Sequence, residues 1–269
     1  MADAVTERLM VGSGETRREI AVLKRAGASP GLFWLGGFGS DMNGTKAAAV
    51  DAFAEAQGLG AVRFDYSGHG ASAGRFEDGT IGRWLEEAGA VLDAVTTGPQ
   101  ILVASSMGGW VALHLALAFR DTARIAGLVL VAPAVDMTRA LMWDRMDAAT
   151  RERLMATGGH REPTPHSAEG ILITRRLIED GDRYLFGERL IEVGCPVTIL
   201  QGVADNEVPW RHAAGLVSQL ASDDVVLTLV KDGDHRLSRP EDIERLRAAI
   251  AVMVAEARSV KAPLARTFS

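Results

Sequence analysis

A chain of 269 residues with 47% apolar side chains fits one α/β domain of ordinary size and can bury a substantial core. Its net charge of −6 comes without any block of like charge and argues against a nucleic-acid surface, which calls for a basic patch. The single cysteine, Cys195, excludes an internal disulfide and suits a reducing compartment. It precedes Pro196 at the start of an apolar run, where a buried structural thiol is expected. The start of the chain, Met1 to Arg8, carries acids and lacks the apolar centre of a signal peptide. No stretch reaches bilayer-spanning length, so a cytoplasmic enzyme is expected.

Arg8-Leu9-Met10-Val11 and Glu19-Ile20-Ala21-Val22-Leu23-Lys24 read as two strands of a hairpin with its turn at Gly12 to Glu15. Gly31 to Leu35 is a short buried strand that ends in the loop Gly36-Gly37-Phe38-Gly39-Ser40. Thr45 to Ala56 is helical, with Gly58 as its stop. Ala61 to Tyr66 is the next strand and Ser67-Gly68-His69-Gly70 its turn. A helix over Ile81 to Val95 puts Trp84, Leu85, Ala88, Val91, Leu92 and Val95 on its inner side. Gln100-Ile101-Leu102-Val103 and Ile125 to Ala132 are further strands, with a helix-compatible run from Trp110 to Ala118 between them. Short apolar strands alternating with helices predict an α/β fold, a mainly parallel sheet covered on both faces, with the leading hairpin as an antiparallel edge.

The rhythm changes at Asp136. From Met137 to about Arg189 no strand stands out: Met142, Trp143 and Met146 fall at helical spacing, Gly158 to Pro165 reads as a loop, and Ile171 to Leu185 as a helix. The expected organisation is therefore a core of residues 1–136 and 190–269, with 137–189 as a helical lid inserted between two core strands. Met and Trp would give it an adaptable apolar wall over a site. The rhythm resumes with a strand over Pro196 to Gly202, a helix over Trp210 to Leu220, a strand over Val225 to Val230 and a helix over Pro240 to Ala257; the tail after Arg258 reads as loose.

One stretch carries the chemistry. Ala104-Ser105-Ser106-Met107-Gly108-Gly109 joins a strand to a helix and places a serine at the turn, close to the G-x-S-x-G nucleophile elbow, with Ala104 for its first glycine. A serine hydroxyl needs a base, and the base a carboxylate that fixes its tautomer. Of six histidines, His235 follows the last strand, where the base of such a fold belongs; His69 is its rival but precedes the serine in sequence. Asp205, after the strand ending at Gly202, leads among the acids, with Glu207 in reserve. Asp136 is the other position the fold can use, but a helix N-cap for the insertion is the expected role there. Backbone N–H groups of Phe38 and Met107 are the candidate oxyanion donors. No G-x-G-x-x-G, Walker sequence or H-E-x-x-H spacing appears, so neither cofactor nor metal is expected.

Taken together, Met42-Asn43-Gly44-Thr45-Lys46-Ala47, Arg63-Phe64-Asp65-Tyr66-Ser67-Gly68, Gly98 to Val103, Ser105 to Trp110, Val208-Pro209-Trp210 and Asp234-His235-Arg236 carry a resemblance. The chain resembles the α/β-hydrolase fold serine hydrolases, and more closely the mitochondrial palmitoyl-protein thioesterase and acyl-glucuronide esterase group with its bacterial relatives. The resemblance implies a Ser106, Asp205, His235 triad and cofactor-free hydrolysis of acyl thioesters or esters, on a small-molecule or acylated-protein substrate. The insertion from Met137 to Arg189 shares much less of it. An acyltransferase using the same acyl-enzyme, or a non-catalytic binding module on the same fold, is the alternative.

Overall fold

The computed structural model describes residues 4–164, 167–221 and 224–259. The expectations for Pro165, His166 and the tail beyond residue 259 lie outside the described residues. The strands are β1 (Val5–Val11), β2 (Arg18–Arg25), β3 (Ala28–Leu35), β4 (Leu59–Phe64), β5 (Gln100–Ser105) and β6 (Ile125–Val131), followed later by β9 (Val197–Gly202) and β10 (Val225–Val230). Together they form one eight-stranded sheet in the order β1-β2-β4-β3-β5-β6-β9-β10. β2 pairs antiparallel with β1 and β4; every other neighbour pair is parallel. This is the mainly parallel sheet with an antiparallel edge that the sequence predicts.

Helices α1 (Thr45–Gln57) and α7 (Pro240–Ser259) cover one face; α2 (Ile81–Val95), α3 (Met107–Ala118) and α6 (Trp210–Gln219) cover the other. Strand residues alternate between the two. Ile101 and Val103 join the cluster under α1 and α7, whereas Leu102 and Ala104 join the one under α2 and α3. A strand buried on both faces has no polar side, which is why these strands read as continuous apolar runs. Trp84 and Trp110, both fully buried, each contribute about 4–6 kcal/mol of hydrophobic stabilisation by area. Cys195 is buried, and burial pushes its thiol up to about 12.

The parallel register lines up the carboxyl ends of the strands. Leu35 of β3 pairs with Ala104 of β5, Ser105 of β5 with Val131 of β6, and Gly202 of β9 with Val230 of β10. The loops that follow these ends, at residues 36–44, 106, 132–136, 203–209 and 231–239, thus share one rim of the sheet.

The segment 137–189 is only partly helical, which corrects the expected helical lid. It holds α4 (Ala148–Thr157), the antiparallel hairpin β7 (Gly159–Thr164) and β8 (Ser167–Thr174), and the short α5 (Arg175–Gly181). Of the residues expected to be a loop, Gly159 to Thr164 form one arm of this hairpin, and Ile171 to Thr174, expected to start a helix, belong to the other. Two features concealed it. Pro163 sits where the register shifts between Glu162 and Thr164, a place that tolerates a missing donor. β7, Gly159-His160-Arg161-Glu162-Pro163-Thr164, also offers no large apolar side chain and so no apolar alternation to read. A lone two-stranded ribbon is marginal in water; here Ile173 packs with Met146, Leu154 and Ile178 in a separate small core.

Asp136 ties the insertion shut at its base. Its carboxylate accepts the backbone N–H groups of Phe186 (2.9 Å) and Gly187 (2.8 Å), where the chain returns to the core. The Asp136 carboxylate is therefore an anchor for the returning chain and not the expected N-cap of the insertion, because both its oxygens are spent on Phe186 and Gly187. Further along, the Tyr184 carbonyl accepts from Trp110 Nε1 and lies 2.8 Å from His114 Nε2, and Asp180 accepts Gly82 N–H.

Candidate active site

β5 ends at Ser105 and α3 begins at Met107, so Ser106 alone makes the turn. It does so at φ 54°, ψ −120°, a conformation L residues avoid and the signature of a strained elbow. The surroundings over-determine it. Ser106 N–H donates to Val131 O, and Ser106 O accepts from Gly109 and Ala134 N–H. A Cβ on Gly108 would run into the Leu35 carbonyl, and one on Gly109 would lie 2.8 Å from Pro133 Cβ. The second glycine of the elbow is thus required by close approach, while Ala104, fully buried on β5 two residues before Ser106, fits as alanine.

His235 closes on the serine from the loop after β10. Its Nε2 lies 3.1 Å from Ser106 Oγ, and its Nδ1 lies 2.8 Å from Asp205 Oδ2. The carboxylate of Asp205 has no exposed surface, whereas the imidazole is 17% exposed. Asp205 Oδ1 also accepts the N–H groups of Glu207 (2.9 Å) and Val208 (2.8 Å), and Oδ2 accepts Gln201 Nε2. A carboxylate fixed this way holds a proton on Nδ1 and leaves the Nε2 lone pair facing the serine hydroxyl. Glu207 approaches the other nitrogen: its Oε2 is 3.6 Å from Nε2, with the side chain half exposed.

The acid and base loops meet through small residues. A Cβ on Gly202 would collide with the Gly233 carbonyl, and Ala204 N–H donates to that same oxygen at 3.0 Å. Asp234 caps the turn by accepting Leu237 N–H. Behind it, Lys46 Nζ donates to the carbonyl of Arg236, one residue past the histidine. Burial and the nearby Arg236 lower this lysine to about 8.

The loop after β3 abuts the serine. A Cβ on Gly37 would lie 3.2 Å from Ser106 Cβ, which brings the Gly37–Phe38 turn against the elbow. Met107 opens α3, so its N–H has no partner in the preceding turn of helix. The Phe38 ring packs on Phe76 and Trp84. From the insertion, Ile171 Cδ1 comes within 3.2 Å of where a Cβ on Gly39 would sit, so β8 roofs this loop. Arg145 reaches the acid loop and donates to the Glu207 carbonyl at 2.8 Å.

The structure therefore brings Ser106, His235 and Asp205 into one hydrogen-bonded line, with Met107 next in the chain and Gly37, the residue before Phe38, against Ser106. His69, the rival base, does not reach the serine; its ring nitrogens face Gly39 N–H and the Ser67 carbonyl. Sequence reasoning passed over Gln201. A fully buried glutamine closing the run Val197-Thr198-Ile199-Leu200 was the available signal, since a buried amide needs partners. Among the described residues no cluster of histidine, cysteine and carboxylates could hold a metal ion, and no helix is long and apolar enough to cross a membrane.

A family model described as serine aminopeptidase, S33, matches residues 32–169. The mitochondrial palmitoyl-protein thioesterase ABHD10 of Bos taurus is 36% identical over 228 residues, covering 84% of this chain and 74% of that protein. A solved putative hydrolase from Agrobacterium vitis S4 superposes with a TM-score of 0.91 at 50% identity, covering 94% of this chain and 100% of that one. The alpha/beta hydrolase domain-containing protein 10 from mouse gives 0.84 at 32% identity over 93% of this chain and 99% of that one. These curated relatives overturn the expected cytoplasmic location, because each is a mitochondrial protein. An acidic, unremarkable N-terminal stretch carried no information on compartment. The chain is a hydrolase with the α/β-hydrolase fold; it belongs to the family described as serine aminopeptidase, S33, and is a relative of the ABHD10 palmitoyl-protein thioesterases.

Proposed function

We propose that the chain cleaves acyl thioesters or carboxylic esters through Ser106, His235 and Asp205, with an acylated protein or a small acyl thioester as substrate. The observation that carries this reading is the line from Ser106 Oγ to His235 Nε2 (3.1 Å) and from Nδ1 to the enclosed Asp205 carboxylate (2.8 Å). Ser106 Oγ attacks the acyl carbonyl carbon while its proton passes to Nε2. Asp205 stabilises the imidazolium that results and stays ionised itself. The N–H groups of Phe38 and Met107 hold the oxyanion, which is worth about 3–4 kcal/mol per donor in sites of this kind. As the carbonyl re-forms, the bond to the leaving sulfur or oxygen breaks and Nε2–H returns its proton to that atom. Water then attacks the acyl-serine with His235 again as base, releasing the carboxylic acid and restoring the serine.

The insertion 137–189 serves as the cap of the acyl site in this reading. Its hairpin over Gly39 and its Arg145 on the acid loop support that role. Preference for a long acyl chain, as the name of the ABHD10 relatives indicates for them, is the finer part of the proposal. The test is hydrolysis of p-nitrophenyl esters and acyl thioesters of graded chain length by the wild type and Ser106→Ala. Turnover should vanish in the variant; equal rates in the two proteins overturn the reading.

A further inference from the structure

The turn after β4 holds a second histidine that the chemistry at Ser106 does not use. His69 is 4% exposed and sits among the rings of Tyr66, Phe76 and Trp84. Its Nδ1 lies 3.2 Å from the Ser67 carbonyl, and its Nε2 lies 3.0 Å from Gly39 N. A backbone N–H can only donate and a carbonyl can only accept. The two contacts together therefore fix the tautomer: Nδ1 carries the proton and Nε2 offers a lone pair to Gly39. Burial lowers the affinity of this ring for a second proton, in keeping with that neutral form.

What Nε2 holds is the loop beside the elbow. Gly39 adopts φ 73° and follows directly on Phe38, the residue whose N–H points to the oxyanion in the reading above. Among the described residues, the N–H groups of Gly39 and Ser40 have acceptors, His69 Nε2 and Gly37 O respectively, whereas Phe38 N–H has none. The turn is thus pinned on one side of the free donor by a side chain that comes from the turn after β4.

The pin is itself braced. The Ser67 carbonyl that receives Nδ1–H also accepts Trp84 Nε1 at 3.3 Å, and Ser67 N–H donates to Glu87 Oε2 at 2.8 Å. Glu87 is fully buried and paired with Arg18 through its other oxygen. Asp65 fixes both flanks, accepting Met42 N–H beyond the loop and Ala71 N–H beyond the histidine. A continuous polar chain therefore runs from Arg18 through Glu87, Ser67 and His69 to Gly39. A network satisfied at each link rigidifies what it holds.

The geometry points to His69 as the positioning residue of the oxyanion loop: its Nε2 lone pair, by holding Gly39 N–H, sets the direction of the Phe38 donor toward the acyl carbonyl on Ser106. This inference rests on the serine-hydrolase reading, and it assigns His69 no contact with substrate. A displaced donor weakens the transition state more than the ground state, so the effect belongs in kcat and not in KM.

Two amides separate this role from plain packing. In His69→Gln the side-chain oxygen can occupy the place of Nε2 and accept from Gly39. In His69→Asn the amide reaches only the place of Nδ1, keeps the bond to Ser67 and loses the one to Gly39. With a p-nitrophenyl ester, the Asn variant should lose roughly 10–100-fold in kcat, the scale of a misplaced catalytic group, with KM within about threefold. The Gln variant should recover most of that loss. Equal kcat in the Gln and Asn variants, both high or both low, overturns the inference, as does a loss confined to KM. A second measurement needs no substitution: 15N spectra of the wild type should show His69 Nδ1 protonated and Nε2 not. A protonated Nε2 overturns the inference too. Ser106→Ala run alongside keeps the two readings apart, because turnover that survives it removes the serine mechanism, whatever His69 does.

Discussion

Gln201 donates its amide to the same Asp205 oxygen, Oδ2, that faces His235 Nδ1: the amide nitrogen lies 3.1 Å from it and the imidazole nitrogen 2.8 Å. The same amide also lies 3.0 Å from the carbonyls of Gly202 and Val208, so it spans the acid loop from start to end. Replacing Gln201 with Leu removes both N–H donors that these three acceptors share and strands two buried acceptors, each worth about 1–3 kcal/mol when left unmade. Gln201→Leu is expected to lower kcat about tenfold and stability by about 2–4 kcal/mol, read from steady-state kinetics and urea unfolding. A wild-type kcat would show that the backbone donors of Glu207 and Val208 hold Asp205 unaided.

The two carboxylates near His235 are separable by variant. Asp205 is enclosed and bonded to Nδ1; Glu207 is half exposed and 3.6 Å from Nε2. An amide in place of Asp205 can present its NH2 to Nδ1 and hold the wrong tautomer. Asp205→Asn should reduce kcat by about 1,000-fold or more, whereas Glu207→Gln should stay within about threefold, since an exposed pair is worth less than about 1 kcal/mol. The reverse order would move the acid of the site to Glu207.

Glu87 is the buried partner on which Arg18 depends. Both side chains are nearly sealed from water, and Glu87 also receives Ser67 N–H. Removing one member of a buried pair leaves the other charge uncompensated, at a cost of about 3–5 kcal/mol. Glu87→Ala should therefore lose about that much in urea unfolding. Glu86→Ala, which removes a half-exposed partner of the same arginine, should lose less than about 1 kcal/mol. Equal losses would mean that Arg18 finds enough compensation in the carbonyls of Thr16 and Arg83.

The line Ser106, Asp205, His235 was legible in the sequence because each residue follows a short apolar strand, and parallel register delivers strand ends to one rim. The sheet was legible for the same reason. What stayed hidden depends on contacts between distant segments. β7 and β8 escaped because β7 is polar and interrupted at Pro163, while the apolar Ile171-Leu172-Ile173 of β8 reads as well as a helix until it packs with Met146, Leu154 and Ile178. Glu87 lies on the inner face of α2 between Trp84 and Ala88, where only the arrival of Arg18 from β2 explains a carboxylate. His69 could be seen as a histidine in a turn, but its partner is set by where β3 ends next to β4, which periodicity does not encode.

Lys46 supplies a prediction in pH. Its ammonium donates to the Arg236 carbonyl beside His235, and burial, helped by Arg236, lowers it to about 8 from the ordinary 10.5. Between these two values the unfolded chain carries a proton on this lysine that the native state has released. Stability rises with pH wherever the unfolded state binds more protons, so this group adds stability as pH climbs from about 8 to 10.5 and withholds it below 8. The increment is on the order of 1–3 kcal/mol for a shift of this size. Lys46→Met removes the titration. The difference in unfolding free energy between wild type and variant, measured by urea titration at pH 7, 9 and 10.5, should therefore move in favour of the wild type as pH rises. A difference that is flat across that range would mean that the ammonium keeps its proton in the folded protein and is solvated where it meets Arg236.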